Sequence, residues 1–193
     1  NVTGSLASGD RYAKDYQNPN SGDHVLIQTG TQGVGILLRA RAEVRNVTAN
    51  GWGRYGIAIF GAEADANANC SVIEGAYLLY CNLDGLLARG GDSNASKITG
   101  IDASYNGRYG VNDNSFLGNH YFSCHTASNG AGAYYSNAEN NSSVFVGCYS
   151  EGDLQTQPFS VYTSKFGQDT TIIGGTHGAG VNNSGGSNCN YLG

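Results

Sequence analysis

An asparagine returns along this chain at nearly even steps, each time in a turn a few residues ahead of a glycine. Asn82, Asn106 and Asn129 hold the position and Asp153 takes it next, at intervals of 24, 23 and 24 residues. The glycines that open the following apolar runs are Gly35, Gly56, Gly85, Gly110 and Gly132, spaced 21, 29, 25 and 22. A loose period with its length changes in the turns describes the coils of a solenoid. Between the turns lie short runs such as VLIQTG from Val25, GVGILLRARAEVRNVTANG and GRYGIAIFG. Runs of four to six residues with β-branched and aromatic content read as strands, and none carries the caps of a helix. The joining turns are too short for helical or leucine-rich repeats and lack a hairpin signature. The expected fold is therefore all-β: a single-stranded parallel β-helix of about six to seven coils, about 30 Å long at a coil spacing of about 4.8 Å. Stacked asparagine amides explain the recurring Asn, since they hydrogen-bond from coil to coil. The β-helix is expected over 25–181, with 1–24 as a lead-in or cap and 182–193 as a C-terminal cap or tail. A hairpin-built sandwich is the structural alternative.

Composition fits this frame and removes several function classes. Thirty glycines, two prolines and no Met are unusual for a helical or α/β enzyme. The net charge is −5 and Lys and Arg form no run, so a nucleic-acid partner is not expected. No apolar segment is long enough to insert in a membrane, and the start at Asn1 without Met suggests a fragment of a longer polypeptide. The five cysteines (Cys70, Cys81, Cys124, Cys148, Cys189) contain no C-x-x-C, which speaks against a zinc site and for buried thiols. Matches to N-x-[ST] are numerous in a chain so rich in Asn and Ser, and carry no glycosylation claim. No cofactor is implied.

Stacking the strand ahead of each asparagine turn sorts residues into columns. Leu79, Ala103, Thr126 and Ser150 form one, and Tyr77, Ile101, Cys124 and Cys148 another; both are small or apolar and are expected to face the core. Cys124 and Cys148 become neighbours, and in-register parallel side chains favour free thiols over a disulfide. The outward columns read Leu78, Asp102, His125, Tyr149 and Tyr80, Ser104, Ala127, Glu151. Asp102, His125, Tyr149 and Tyr80 are the candidate substrate-binding residues: rings stack on sugar faces, while carboxylates and amides take hydroxyl groups. An ordinary solvated wall is the alternative reading. Glu151 and Asp153 project the same way from an extended chain and are the candidate catalytic pair, because glycoside hydrolysis needs two carboxylates about 5 Å or about 6.5–9.5 Å apart. Arg54 and Arg108 sit in matching GRYG turns and read as repeat chemistry. Asp113, in Asn112-Asp113-Asn114, reads as a turn residue. Leu78, Leu87 and Phe60 are expected to be exposed apolar positions available to an interface.

The repeated N-G-x-x-G-[IV] turns, with SFLGNHYFSCHTASNGAGAYY, FVGCYSEGD and IIGGTHGAG, resemble the pectate-lyase-like right-handed parallel β-helix superfamily. More narrowly they resemble the β-helical parts of bacteriophage tail spikes and tail fibres. The resemblance covers about residues 25 to 181. It implies a right-handed β-helix, a homotrimer carried with other tail proteins or flanking domains on a virion tail or secreted, and recognition of a bacterial surface polysaccharide. Cleavage of that glycan and a purely structural spacer are the alternatives. The calcium-binding aspartates and catalytic arginine of pectate lyases find no matching positions here.

Overall fold

The computed structural model describes residues 2–3, 33–61, 66–136, 142–152, 164–165, 170–177 and 190–192. Their regular structure is all strand, paired in parallel, and each coil lays one rung in each of three sheets. The first sheet collects Val34–Leu38, Tyr55–Phe60, Leu86–Gly90, Tyr109–Ser115, Gly132–Ser136 and Ser164–Lys165. The second collects Glu43–Arg45, Val72–Glu74, Lys97–Thr99, His120–Phe122, Val144–Val146, Thr171–Ile173 and Asn190–Leu192. The third runs through Val2–Thr3, Thr48–Asn50 and Tyr77–Leu79, then His125–Ala127, Tyr149–Glu151 and Thr176–His177. Asp102 bridges its halves, pairing with Tyr77 on one side and His125 on the other. This is the parallel β-helix expected from the period, with a coil count close to that expected. The lead-in 1–24, the tail 182–193, Asp153 and Cys189 fall, apart from the short strands named above, outside the described residues.

Left-handed residues make the corners. Between the second and third sheets the position is held by Asn46, Gly75, Gly100, Ser123, Gly147 and Gly174, with φ between 49° and 63°. After the third sheet it is held by Gly51, Tyr80, Tyr105, Ser128 and Gly152, with φ between 54° and 73°. The first of these corners never changes length: Arg45 to Thr48, Glu74 to Tyr77, Thr99 to Asp102, Phe122 to His125 and Val146 to Tyr149 are each three residues. Between the first and second sheets the step varies, from five residues, Ser115 to His120, to twelve, Phe60 to Val72.

The core is a set of columns. Val44, Ile73, Ile98, Tyr121, Phe145 and Ile172 stack in register along the second sheet, all buried. The rings of Tyr121 and Phe145 lie 4.5 Å apart and nearly parallel. Each fully buried side chain of this size stabilises the fold by about 1.5–3 kcal/mol. From the third sheet come Leu78, Ala103, Thr126 and Ser150, all buried. Here the stacking read from sequence slips by one residue. The step from Tyr77 to Asp102 is 25 residues rather than 24, so Leu78 takes the inward place expected of Leu79, and Ala76 that expected of Tyr77. Leu87 is also buried and Phe60 partly so, which removes the apolar interface expected from these positions.

The same slip moves the asparagine ladder. Cys81, not Asn82, aligns with Asn106, and its N–H donates to Asn106 Oδ1 at 3.0 Å. Asn106 donates to Asn129 Oδ1 from both its backbone N (2.9 Å) and its Nδ2 (3.0 Å). Nδ2 of each residue also reaches a carbonyl, Leu78 O and Ala103 O. This ladder explains the glycines. A Cβ on Gly110 would come within 2.6 Å of Thr126 Cγ2 and 2.9 Å of Asn129 Nδ2, and one on Gly85 within 2.9 Å of Asn106 Nδ2. Gly35, Gly56, Gly85 and Gly110 share one column, whose next place goes to Ala133 rather than Gly132.

A second polar ladder lines the corner between the first and second sheets. Asn69 Oδ1 accepts from Asn94 N, Asn94 Oδ1 from Leu117 N, and Asn119 Oδ1 from Ser96 N. Beside it lies Asp113, which is not in a turn but in mid-strand and fully buried. Its carboxylate accepts from Ser115 N and Oγ, Tyr121 OH (2.8 Å), Ser143 Oγ (2.7 Å) and Asn119 Nδ2. Cys81, Cys124 and Cys148 are buried free thiols, as expected, whereas Cys70 is free and exposed.

Candidate functional site

The outer face of the third sheet and its corner gather five of the six candidate residues. Because strand residues alternate and the rungs are in register, Tyr77, Asp102, His125 and Tyr149 follow one another in a single outward column. His125 is its centre. Nδ1 lies 3.2 Å from Asp102 Oδ1, Nε2 lies 3.9 Å from Glu151 Oε1, and its ring stacks on Tyr149 with centroids 5.3 Å apart. Tyr149 OH donates to Glu151 Oε2 at 2.7 Å, and that bond raises the phenol above its ordinary pKa. Ser104 Oγ donates to Asp102 Oδ1. An imidazole thus sits between two carboxylates on an open wall, with hydroxyl, carboxylate and ring groups all facing solvent.

Tyr80 belongs to this face but not to the column expected for it. Leu79 takes the place beside Ser104, Ala127 and Glu151, and Tyr80 moves out to the left-handed corner. There it stacks on Tyr105, with centroids 5.2 Å apart and an interplanar angle of 11°. The preceding residue in the corner column is Gly51, which has no side chain to cover the outer face of the Tyr80 ring. Tyr77, Tyr80, Tyr105 and Tyr149 are 55%, 44%, 39% and 38% exposed, so the face carries four large aromatic rings in water. Tyr77 and Tyr105 escape a sequence reading because both depend on the 25-residue step. The signal that finds them is the pairing of Tyr80 with Tyr105 at that same spacing.

Glu151, the first of the expected catalytic pair, stands at the edge of the cluster beside Tyr149; its expected partner Asp153 lies outside the described residues. The second carboxylate that the geometry does provide is Asp102, on the opposite side of His125. Among the described residues no three His, Cys, Asp or Glu side chains are placed to hold a metal ion. No protein-family model, curated protein or solved structure matches the chain.

Proposed function

We propose that the outer face of the third sheet binds carbohydrate. The observation that carries this reading is the Tyr80–Tyr105 pair: two bulky residues in left-handed backbone, where such side chains cost about 1–2 kcal/mol each, hold their rings in solvent rather than in the core. Strain kept at an exposed position is a pointer to function. Aromatic rings with an open face suit stacking on pyranose rings, and Asp102, His125 and Glu151 stand within the same face to take sugar hydroxyls. The resemblance of the repeated turns supplies the context: a module of a phage tail spike or fibre, trimeric and extracellular, that recognises a bacterial surface polysaccharide.

The test is an array of bacterial surface polysaccharides probed with the chain and with Tyr105→Gly, His125→Ala and Tyr149→Ala. Binding that survives all three substitutions places recognition elsewhere. Glycan hydrolysis is a second reading, favoured by the two carboxylates that flank His125. Release of reducing ends that is lost in Glu151→Gln supports it, and binding without release excludes it. A chain silent in both assays is a spacer.

A further inference from the structure

A second polar site lies on the first sheet and is independent of the aromatic face. Arg54, Arg89 and Arg108 line one groove of about 550 Å³, together with Asn112 and Asn114 and with Leu87 buried beneath them. That volume falls in the usual range for a small-molecule site. The three arginines come from three successive coils. Arg54 and Arg108 open matching turns, and Leu83 of the intervening coil donates its N–H to Arg54 O and accepts from Arg108 N. Both guanidinium groups stand over the tyrosine that follows them, 5.2 Å from the Tyr55 centroid and 5.7 Å from that of Tyr109. Arg89 enters from the strand Leu86–Gly90 and is exposed.

Asp84 fixes one of these cations in place. Its fully buried carboxylate receives Arg108 Nε at 2.8 Å and Nη2 at 2.5 Å, Tyr109 N at 3.1 Å and Asn112 Nδ2 at 2.9 Å. Partial burial works against the Arg108 charge, but the bonds to Asp84 and its negative charge outweigh this and hold the guanidinium charged. Among the described residues the groove gathers three guanidinium groups against one carboxylate, in a chain whose formal net charge is −5.

We propose that this groove binds a phosphate monoester. A carboxylate offers two oxygens, enough for one guanidinium fork, whereas a phosphate monoester offers three terminal oxygens and up to two negative charges. The charge of the groove matches the second. Free phosphate presents the same oxyanion and is the other source of that chemistry.

The experiment is calorimetric titration of the intact chain with a hexose 6-phosphate, its parent hexose, inorganic phosphate and a hexuronate. It is repeated on Arg89→Gln and Arg54→Gln, with circular dichroism to verify the fold. The hexose phosphate is expected to bind more tightly than the hexose, with the difference falling as salt rises. Arg89→Gln is expected to weaken binding about ten-fold. Tighter binding of the ester than of inorganic phosphate identifies an esterified ligand, and equal binding identifies free phosphate. Equal binding of the hexuronate overturns the choice of a tetrahedral oxyanion. No heat with either phosphate, or unchanged affinity in both folded variants, overturns the site. Sugar binding at the aromatic face shows in the parent-hexose titration, so the groove is read from the excess of the hexose phosphate over that hexose and from the arginine variants, and the aromatic face from the polysaccharide array.

Discussion

Tyr80 and Tyr105 lie ring on ring across one coil step, 5.2 Å between centroids, each on a backbone with φ near 57°. Glycine at position 105 relieves about 1–2 kcal/mol of backbone strain and forfeits about 0.5–1.5 kcal/mol of ring stacking. Tyr105→Gly is therefore expected to change stability by less than about 1 kcal/mol while weakening polysaccharide binding at least ten-fold. Urea midpoints and the array measure both. A large loss of stability with binding intact would make the pair a structural clamp instead.

Gly110 is expected to tolerate no side chain. Its would-be Cβ meets Thr126 Cγ2 at 2.6 Å, Ala103 O at 2.8 Å and the ladder amide of Asn129 at 2.9 Å. Gly110→Ala should cost about 1–3 kcal/mol, the usual cost of overpacking. Gly91 has nothing within 4 Å of the same probe atom, so Gly91→Ala is the control and should be close to neutral.

Asp113 holds the inner ends of four polar side chains in the core, those of Ser115, Asn119, Tyr121 and Ser143. Truncation in Asp113→Ala removes the acceptor of Tyr121 OH and the bonds from Ser115 Oγ and Ser143 Oγ, while Asn119 Nδ2 retains Ser115 Oγ. A loss of about 3 kcal/mol or more is expected in chemical denaturation, since each stranded donor costs about 1–3 kcal/mol. Tyr121→Phe in the same background should recover part of it, because one of the stranded donors is then gone. No recovery would mean that the hydroxyl finds another partner.

Stability should fall in alkali. Burial, with a smaller contribution from the charge of Asp84, pushes the Cys81 thiol from 9.0 up to about 12. The folded chain keeps a proton that the unfolded chain loses, so this contribution is complete below pH 9 and declines as pH rises toward 12. The slope is about 1.4 kcal/mol per pH unit for each such group. Tyr121, buried and beside Asp113, is also held well above its ordinary value of 10 and adds to the decline above that pH. The hydrogen bond between the free Cys124 and Cys148 thiols raises Cys124 and lowers Cys148, so within this pair the two effects oppose each other. Urea midpoints at pH 8, 9.5 and 11 should fall in order, and Cys81→Ala should remove about one proton from the slope. An unchanged slope in that variant would show that the thiol ionises in place.

Much of the architecture was legible because a β-helix writes its period into the chain. The asparagine turns, the column Gly35–Gly56–Gly85–Gly110 and the neighbours Cys124 and Cys148 all follow from spacing alone. What spacing cannot resolve is a single residue of slack. Tyr77 and Leu78 exchanged faces because one coil is longer by one residue, and burial of Leu78, not its position in the period, settles the register. Asp113 misled for a different reason. An Asn-Asp-Asn triplet reads as a turn until Tyr121, Ser143 and Asn119, brought from two other segments, supply the donors that allow a carboxylate inside. The site was read in the same uneven way: Asp102, His125, Tyr149 and Glu151 meet as expected, while Tyr105 needed the corrected register to be seen beside Tyr80.

The corner between the first and second sheets takes a step of five residues in one coil and of twelve in another, yet the three-residue step at the corner that follows it never changes. Extra chain added there is not transmitted to the rest of the coil. Chain length can therefore change in that corner while Tyr77, Asp102 and His125 keep their alignment, so the solenoid can vary there without being rebuilt.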